Sequence, residues 1–157
     1  MICEDAAGFR AALVADRRLL GLDLGTKTIG LALSDVSATI ATPMATLRRT
    51  KFAKDAAALA AICAEHQVGA LVLGLPINMN GTEGPRCQSV RQFARDIAEP
   101  IPLPLLLWDE RLSTAAVTRT LLEADMSRRK RGQVVDKMAA AYILQGALDA
   151  LAGLARA

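Results

Sequence analysis

The stretch Leu19-Leu20-Gly21-Leu22-Asp23-Leu24-Gly25-Thr26-Lys27-Thr28-Ile29-Gly30-Leu31-Ala32-Leu33 decides the fold. Two short apolar runs, 19–24 and 29–33, are joined through a Gly-containing turn, which is the pattern of a β-hairpin. One residue sits awkwardly in it. Asp23 interrupts the first run with a leucine on either side, and an unpaired buried carboxylate is costly.

Downstream, Thr39 to Leu47 reads as a third strand, with Pro43 arguing for a bend or an edge position. From Lys51 the period changes: Phe52, Ala56, Leu59 and Ile62 recur at helical spacing, predicting an amphipathic helix over 51–66. Gly69 to Gly74 has the pattern of a buried strand, and Pro76 to Pro85 that of a loop. Val90, Phe93, Ala94 and Ile97 mark a second helix, stopped by Pro100 and Pro102. A short strand, Leu105 to Trp108, runs into Asp109-Glu110-Arg111. Ser113 or Thr114 is placed to cap a third helix carrying Val117, Leu121 and Ala124. A basic loop, Ser127 to Gly132, then leads into a final helix from about Val134 to Leu151. Upstream, residues 1–17 have weak periodicity and read as an N-terminal extension, with a short helix as one option, outside the core. The expectation is an α/β fold in one domain, 18–157, with a mixed five-stranded sheet covered by helices on both faces.

Composition narrows the function classes. A chain of 157 residues, 52% hydrophobic and 22% charged, suits one globular domain with an ordinary core. Aromatics make up only 3%, which weakens any reading that needs a stacking platform for single-stranded bases, since such platforms are built from Phe, Tyr and Trp. The net charge of +3 leans towards an anionic partner. Cys3, Cys63 and Cys87 are widely spaced and His66 is the one histidine, so structural zinc, a Cys–His catalytic pair and a disulfide framework are poorly supported. No apolar run resembles a signal peptide or approaches the roughly 20 residues of a membrane span, which predicts a cytoplasmic protein.

Two further carboxylates stand with Asp23. Glu110 falls at the end of the short strand, and Asp136 begins the last predicted helix, with Ala139, Ala140 and Ile143 on the same helical face. Each has an ordinary reading: Glu110 as a solvated strand end, Asp136 as a first-turn acid favoured by the helix dipole. Together they suggest more. Carboxylates converging from two strand ends and a helix repel one another unless a divalent cation compensates, and Mg²⁺ prefers oxygen ligands. Such a site can activate water against a phosphodiester without any histidine.

Four stretches, Gly21-Leu-Asp-Leu-Gly-Thr-Lys-Thr-Ile-Gly30, Gly74-Leu-Pro-Ile-Asn-Met-Asn-Gly-Thr82, Trp108-Asp-Glu-Arg-Leu-Ser-Thr114 and Asp136-Lys-Met-Ala-Ala-Ala-Tyr-Ile-Leu-Gln145, occur in this order. In them the chain resembles the YqgF family, also called RuvX: pre-16S rRNA nucleases related to the RuvC Holliday-junction resolvases. The resemblance spans about Leu19 to Leu151. It implies an RNase H-like fold and makes Asp23, Glu110 and Asp136 the expected catalytic and metal-binding triad, holding one or two Mg²⁺ or Mn²⁺ ions. Ser113 stands where a Thr is common in the family.

Around the triad, Thr26 and Lys27 on the hairpin turn are candidates for contacting a phosphate, with an ordinary tight turn as the alternative. Asn78, Gly81 and Thr82 lie in a loop after a buried strand, a usual place for ligand contacts. Arg128, Arg129, Lys130 and Arg131 form the densest basic run, placed to grip a nucleic-acid backbone, although such runs are also common as solvated loops. Arg86, with Arg91 and Arg95, forms a basic stripe on the second helix, and Arg111 adjoins Glu110.

These readings predict a metal-dependent nuclease acting on nucleic acid, with maturation of the 16S rRNA 5′ end, on a ribosomal subunit precursor, as the task the family implies. The protein is expected to be a monomer or a homodimer. The competing readings are a Holliday-junction resolvase acting on branched DNA as a dimer, a non-catalytic RNA-binding assembly factor, and an ATP-binding actin-like protein. For the last, 157 residues are too few to supply the usual pair of domains.

Overall fold

The computed structural model describes residues 1–113 and 128–156, except for the side chains of 128–135 and 156. Six strands form one sheet: β1 (Ile2–Cys3), β2 (Arg18–Leu24), β3 (Thr28–Ser34), β4 (Ala41–Arg48), β5 (Val68–Leu75) and β6 (Leu105–Asp109), in the spatial order β1-β6-β5-β2-β3-β4. The hairpin and the third strand make an antiparallel meander, β2-β3-β4, while β5 pairs parallel with β2 and β6 parallel with β5. Pro43 lies on the edge strand β4 at an irregularity where Ala32 pairs with Pro43 and Leu31 with Ala45. An edge tolerates a residue without an N–H donor.

The sheet has six strands where the sequence predicts five. The additional one, β1, pairs parallel with β6 through Ile2↔Leu105 and Cys3↔Leu106. Two residues are too few to display an alternation, so no sequence pattern marks them. The segment 1–17 is not outside the core either. After β1 it forms α1 (Ala6–Ala12), capped by the Asp5 carboxylate accepting from the Gly8 N–H, and places Phe9 fully buried among Leu106, Trp108 and Leu148.

Two helices, α2 (Phe52–Glu65) and α3 (Pro85–Ile97), bury Ala56, Leu59, Val90, Phe93 and Ile97 against the face of the sheet that carries Leu20, Leu22 and Leu31. The opposite face, carrying Leu19, Ala32, Ala70 and Val72, is covered by α1 and the long α4 (Arg128–Arg156). The predicted helix carrying Val117, Leu121 and Ala124 lies outside the described residues.

Helix α4 begins earlier than the sequence suggests. Arg128 to Arg131 are helical backbone, not a loop; arginine and lysine are good helix formers, and the lone Gly132 does not break the run. Asp136 therefore sits eight residues into the helix, beyond the reach of a first-turn dipole effect. Asp136–Ala155 is also long and apolar enough to cross a membrane, contrary to the expectation that no stretch approaches that length. In this fold Ala140, Ile143, Leu144 and Ala147 are fully buried against the sheet, so the apolar character belongs to a core helix.

Candidate active site

Asp23 and Glu110 stand on either side of a glycine of β5. Asp23 is the penultimate residue of β2 and is 4% exposed. Its strand pairs with β5 through Leu22↔Leu73, and the next residue on β5 is Gly74. A Cβ on Gly74 would lie 2.9 Å from Glu110 Oε1 and 2.5 Å from Ile143 Cδ1, so the bare backbone makes room for the Glu110 carboxyl beside the strand of Asp23. Glu110, 8% exposed, opens a single 3-10 turn (Glu110–Leu112) directly after β6. Its neighbour Asp109 is drawn elsewhere. The Arg111 guanidinium lies 2.7 Å from Asp109 Oδ2, and this hydrogen bond holds the Asp109 carboxyl below the ordinary carboxylate range.

A second glycine seats the third carboxylate. Asp23 pairs across the hairpin with Gly30, where a Cβ would fall 2.0 Å from the backbone oxygen of Asp136. Only glycine lets α4 cross the sheet at this row. Thr28, two residues before Gly30 and on the same face, donates a hydrogen bond from its hydroxyl to Asp136 Oδ2. The three carboxylates thus occupy one end and one face of the sheet. Among the described residues, however, no three acidic, histidine or cysteine side chains are close enough together to form a ready metal cage. In kind the donors fit a hard divalent cation: they are carboxylate oxygens, two of them buried.

The remaining predicted residues fall at the same end with mixed fates. Thr26 and Lys27 are exposed on the turn between β2 and β3. Asn78, Gly81 and Thr82 are exposed in the loop after β5, but their polar groups largely satisfy one another: Asn78 Nδ2 donates to Thr82 Oγ1, and Thr82 Oγ1 to Asn80 Oδ1. Arg111 is committed to Asp109. On α3, Arg86 is exposed, whereas Arg91 is bound to Glu83 at 2.7 Å and Glu4 at 2.8 Å, so the expected basic stripe is partly neutralised. The side chains of Arg128, Arg129, Lys130 and Arg131 lie outside the described residues.

Two residues at this end escape a sequence reading. Thr28 looks like an ordinary turn-flanking residue until α4 is seen above it. Arg49 follows the edge strand, and its Nη1 donates to the Gly25 carbonyl at 2.5 Å while its N–H donates to the Lys27 carbonyl at 2.8 Å. It braces the turn two residues beyond Asp23. A groove of about 640 Å³, lined by Arg10, Val14, Arg17 and Leu154 among others, is at the opposite end of the sheet. None of the three carboxylates lines it.

Known proteins resemble this chain in sequence and in fold. A family profile described as "RuvX: Holliday junction resolvase" matches residues 17–150. A protein of Paramagnetospirillum magneticum named "Putative pre-16S rRNA nuclease" is 67% identical over 92% of this chain and 94% of its own length. A Rhodobacter capsulatus protein of the same name is 57% identical over 100% of this chain and 99% of its own. Among solved structures, Thermus thermophilus RuvC in complex with a Holliday junction substrate superposes with a TM-score of 0.55 at 12% identity, covering 87% of this chain and 96% of that one. The yeast mitochondrial Holliday junction resolvase Ydc2 does so with a TM-score of 0.50 at 14% identity, covering 96% and 86%. The fold is therefore that of the RNase H-like resolvases, and the chain belongs to the RuvX family.

Proposed function

We propose that this protein is a nuclease that hydrolyses phosphodiester bonds and matures the 5′ end of pre-16S rRNA in the cytoplasm. The observation that carries this reading is the placement of Asp23 and Glu110, both buried, on either side of Gly74, with Asp136 on the same face and at the same end of the sheet. The name shared by its close relatives supports the RNA substrate. Residues 18–157 would be the nuclease domain, and 1–17 an accessory segment that covers the β6 edge of the sheet.

Asp23, Glu110 and Asp136 would hold Mg²⁺ or Mn²⁺. A divalent cation held there would supply Lewis acidity, the chemistry that activates water against a phosphodiester. The chain's own groups do the rest. Thr28 fixes the Asp136 carboxylate, and Arg49 holds the Gly25–Lys27 turn so that Lys27 and the turn's backbone face a phosphate beside Asp23. Asp109, occupied by Arg111, stays out of the reaction.

The test is to offer wild-type protein an end-labelled pre-16S 5′ fragment and a four-way DNA junction side by side, with Mg²⁺ or Mn²⁺. Cleavage of the RNA supports the proposal. Paired symmetric nicks in the junction without RNA cleavage would make the protein a resolvase, the activity named in the family description. Cleavage of neither overturns the nuclease reading.

A further inference from the structure

Between β4 and α2 the chain reads Arg48-Arg49-Thr50-Lys51-Phe52-Ala53-Lys54, four cations in seven residues. The sequence marks this only as the start of a helix. The fold places it at the carboxylate end of the sheet, because β4 runs alongside β3 with Arg48 opposite Thr28, the residue that holds Asp136. Arg48, Lys51 and Lys54 are exposed, and none of the four cations is in an ion pair among the described residues. This contrasts with Arg91 and Arg111, both consumed by acids. The junction is also rigid. Asp55, 8% exposed, accepts from the Thr50 N–H at 3.0 Å and from the Thr50 hydroxyl at 3.0 Å, so the cations are displayed on a fixed corner.

Beside this corner lies a groove of about 480 Å³ between α2 and α3. Arg49 and Phe52 line it on one side and Gln88, Ser89, Gln92, Phe93 and Asp96 of α3 on the other, with the Asp96 carboxylate accepting from Gln92 Nε2 at 2.8 Å. Phe52 is 39% exposed, and it meets the buried Phe93 edge-on, with ring centroids 5.9 Å apart and planes at 83°. Phe52 is thus anchored on the core while remaining partly open to solvent at the groove. Ser89 and Gln92 are engaged within α3, so the ligand chemistry here is the partly exposed ring flanked by cations outside any ion pair, which suits an unstacked base and the phosphates on either side of it. Double-stranded nucleic acid keeps its bases stacked inside and cannot use the ring.

We propose that the Arg48–Lys54 corner and the α2–α3 groove bind a single-stranded stretch of the RNA substrate next to the scissile bond. Lys51 and Lys54 would lie on its phosphates and Phe52 under one base. Arg49 links the two places, since it lines the groove and its guanidinium holds the Gly25 carbonyl of the turn beside Asp23. The strand would leave the groove, cross this turn and meet the carboxylates. This inference rests on the nuclease reading but is tested without cleavage.

Binding of a labelled single-stranded RNA 12-mer, and of the same sequence as a blunt duplex, is measured by fluorescence anisotropy in EDTA over a series of KCl concentrations. Lys51→Gln/Lys54→Gln is expected to weaken single-strand binding at least about tenfold and to lower the slope of log K against log salt by about 1.4. Phe52→Leu is expected to weaken single-strand binding at least about fivefold and to leave duplex binding within twofold. Thermal melts confirm that both variants fold, and the lysine pair tests the corner even if Phe52→Leu does not. Unchanged single-strand binding in the lysine variant, or equal losses on single strand and duplex for Phe52→Leu, overturns the proposal. Because no metal is present, an inactive but RNA-binding wild type would refute the nuclease reading and leave this one standing.

Discussion

The hydroxyl of Thr28 on β3 donates to Oδ2 of Asp136 on α4, joining the hairpin that carries Asp23 to the helix that carries the third carboxylate. A group that orients a metal-binding carboxylate commonly changes metal affinity by tenfold or more when it is removed. Thr28→Val is therefore expected to raise the Mg²⁺ concentration for half-maximal cleavage about tenfold, with Thr28→Ser restoring it. Metal titration followed by the rise in melting temperature reads the same affinity without turnover. Equal metal affinity in Thr28→Val and wild type would remove Thr28 from the site.

Gly30 tests the seating of α4. A Cβ there meets backbone, the Asp136 oxygen at 2.0 Å and carbon at 2.3 Å, and backbone cannot step aside as a side-chain tip can. Gly30→Ala should cost about 3 kcal/mol or more, a melting temperature lower by roughly 10 °C. Gly74→Ala meets the tips of Ile143 and Glu110 instead and should be milder in stability while still disturbing the Glu110 carboxyl. Paired melts of the two variants check this order.

Stability should also fall in alkali. Burial pushes the Cys63 thiol up from 9.0 to about 11, so the folded protein keeps its proton where the unfolded chain has lost it. The stabilisation is complete below pH 9 and is lost as pH rises towards 11. Urea midpoints measured from pH 8 to 11 should decline in wild type and decline less in Cys63→Ala, which has no thiol to ionise at that position. Parallel declines would show that another group governs the alkaline limb.

Arg91 and Arg86 separate charge that is used within the fold from charge that is free for a ligand. Arg91 ties α3 to Glu83 and to Glu4 of the N-terminal segment. Arg91→Gln should cost under about 1 kcal/mol of stability and leave RNA affinity within twofold. Exposed Arg86, by contrast, should lower RNA affinity about two- to threefold when changed to Gln, with the salt slope reduced. Anisotropy titrations of both variants decide the matter.

The parts of this fold that span many residues with a clear period were legible in the sequence. The hairpin around Asp23, the helix over Phe52–Glu65 and the buried strand ending at Leu75 appear where apolar spacing puts them. What escaped depends on contacts between distant residues. Strand β1 is two residues long and is defined only by Leu105 and Leu106 beside it. Phe9 reveals its burial only once α1 packs against α4. The start of α4 was misplaced because a dense basic run has the composition of a loop as well as of a helix. Asp23 was conspicuous because a carboxylate between leucines has few ordinary explanations. Thr28 and Arg49 were not, since a threonine and an arginine near a turn are commonplace until Asp136 and Gly25 are seen to be their partners.

If the carboxylates at this end of the sheet cut nucleic acid, removing the charge of one of them must stop cleavage. Single-turnover cleavage of the end-labelled pre-16S 5′ fragment in Mg²⁺ or Mn²⁺ by wild type and by Asp23→Asn tests it most directly, with equal RNA binding and melting temperature confirmed for the two. The account predicts a rate at least about 100-fold lower in Asp23→Asn, because the substitution keeps the shape but removes the charge that holds the cation. Cleavage at the wild-type rate by Asp23→Asn would contradict it.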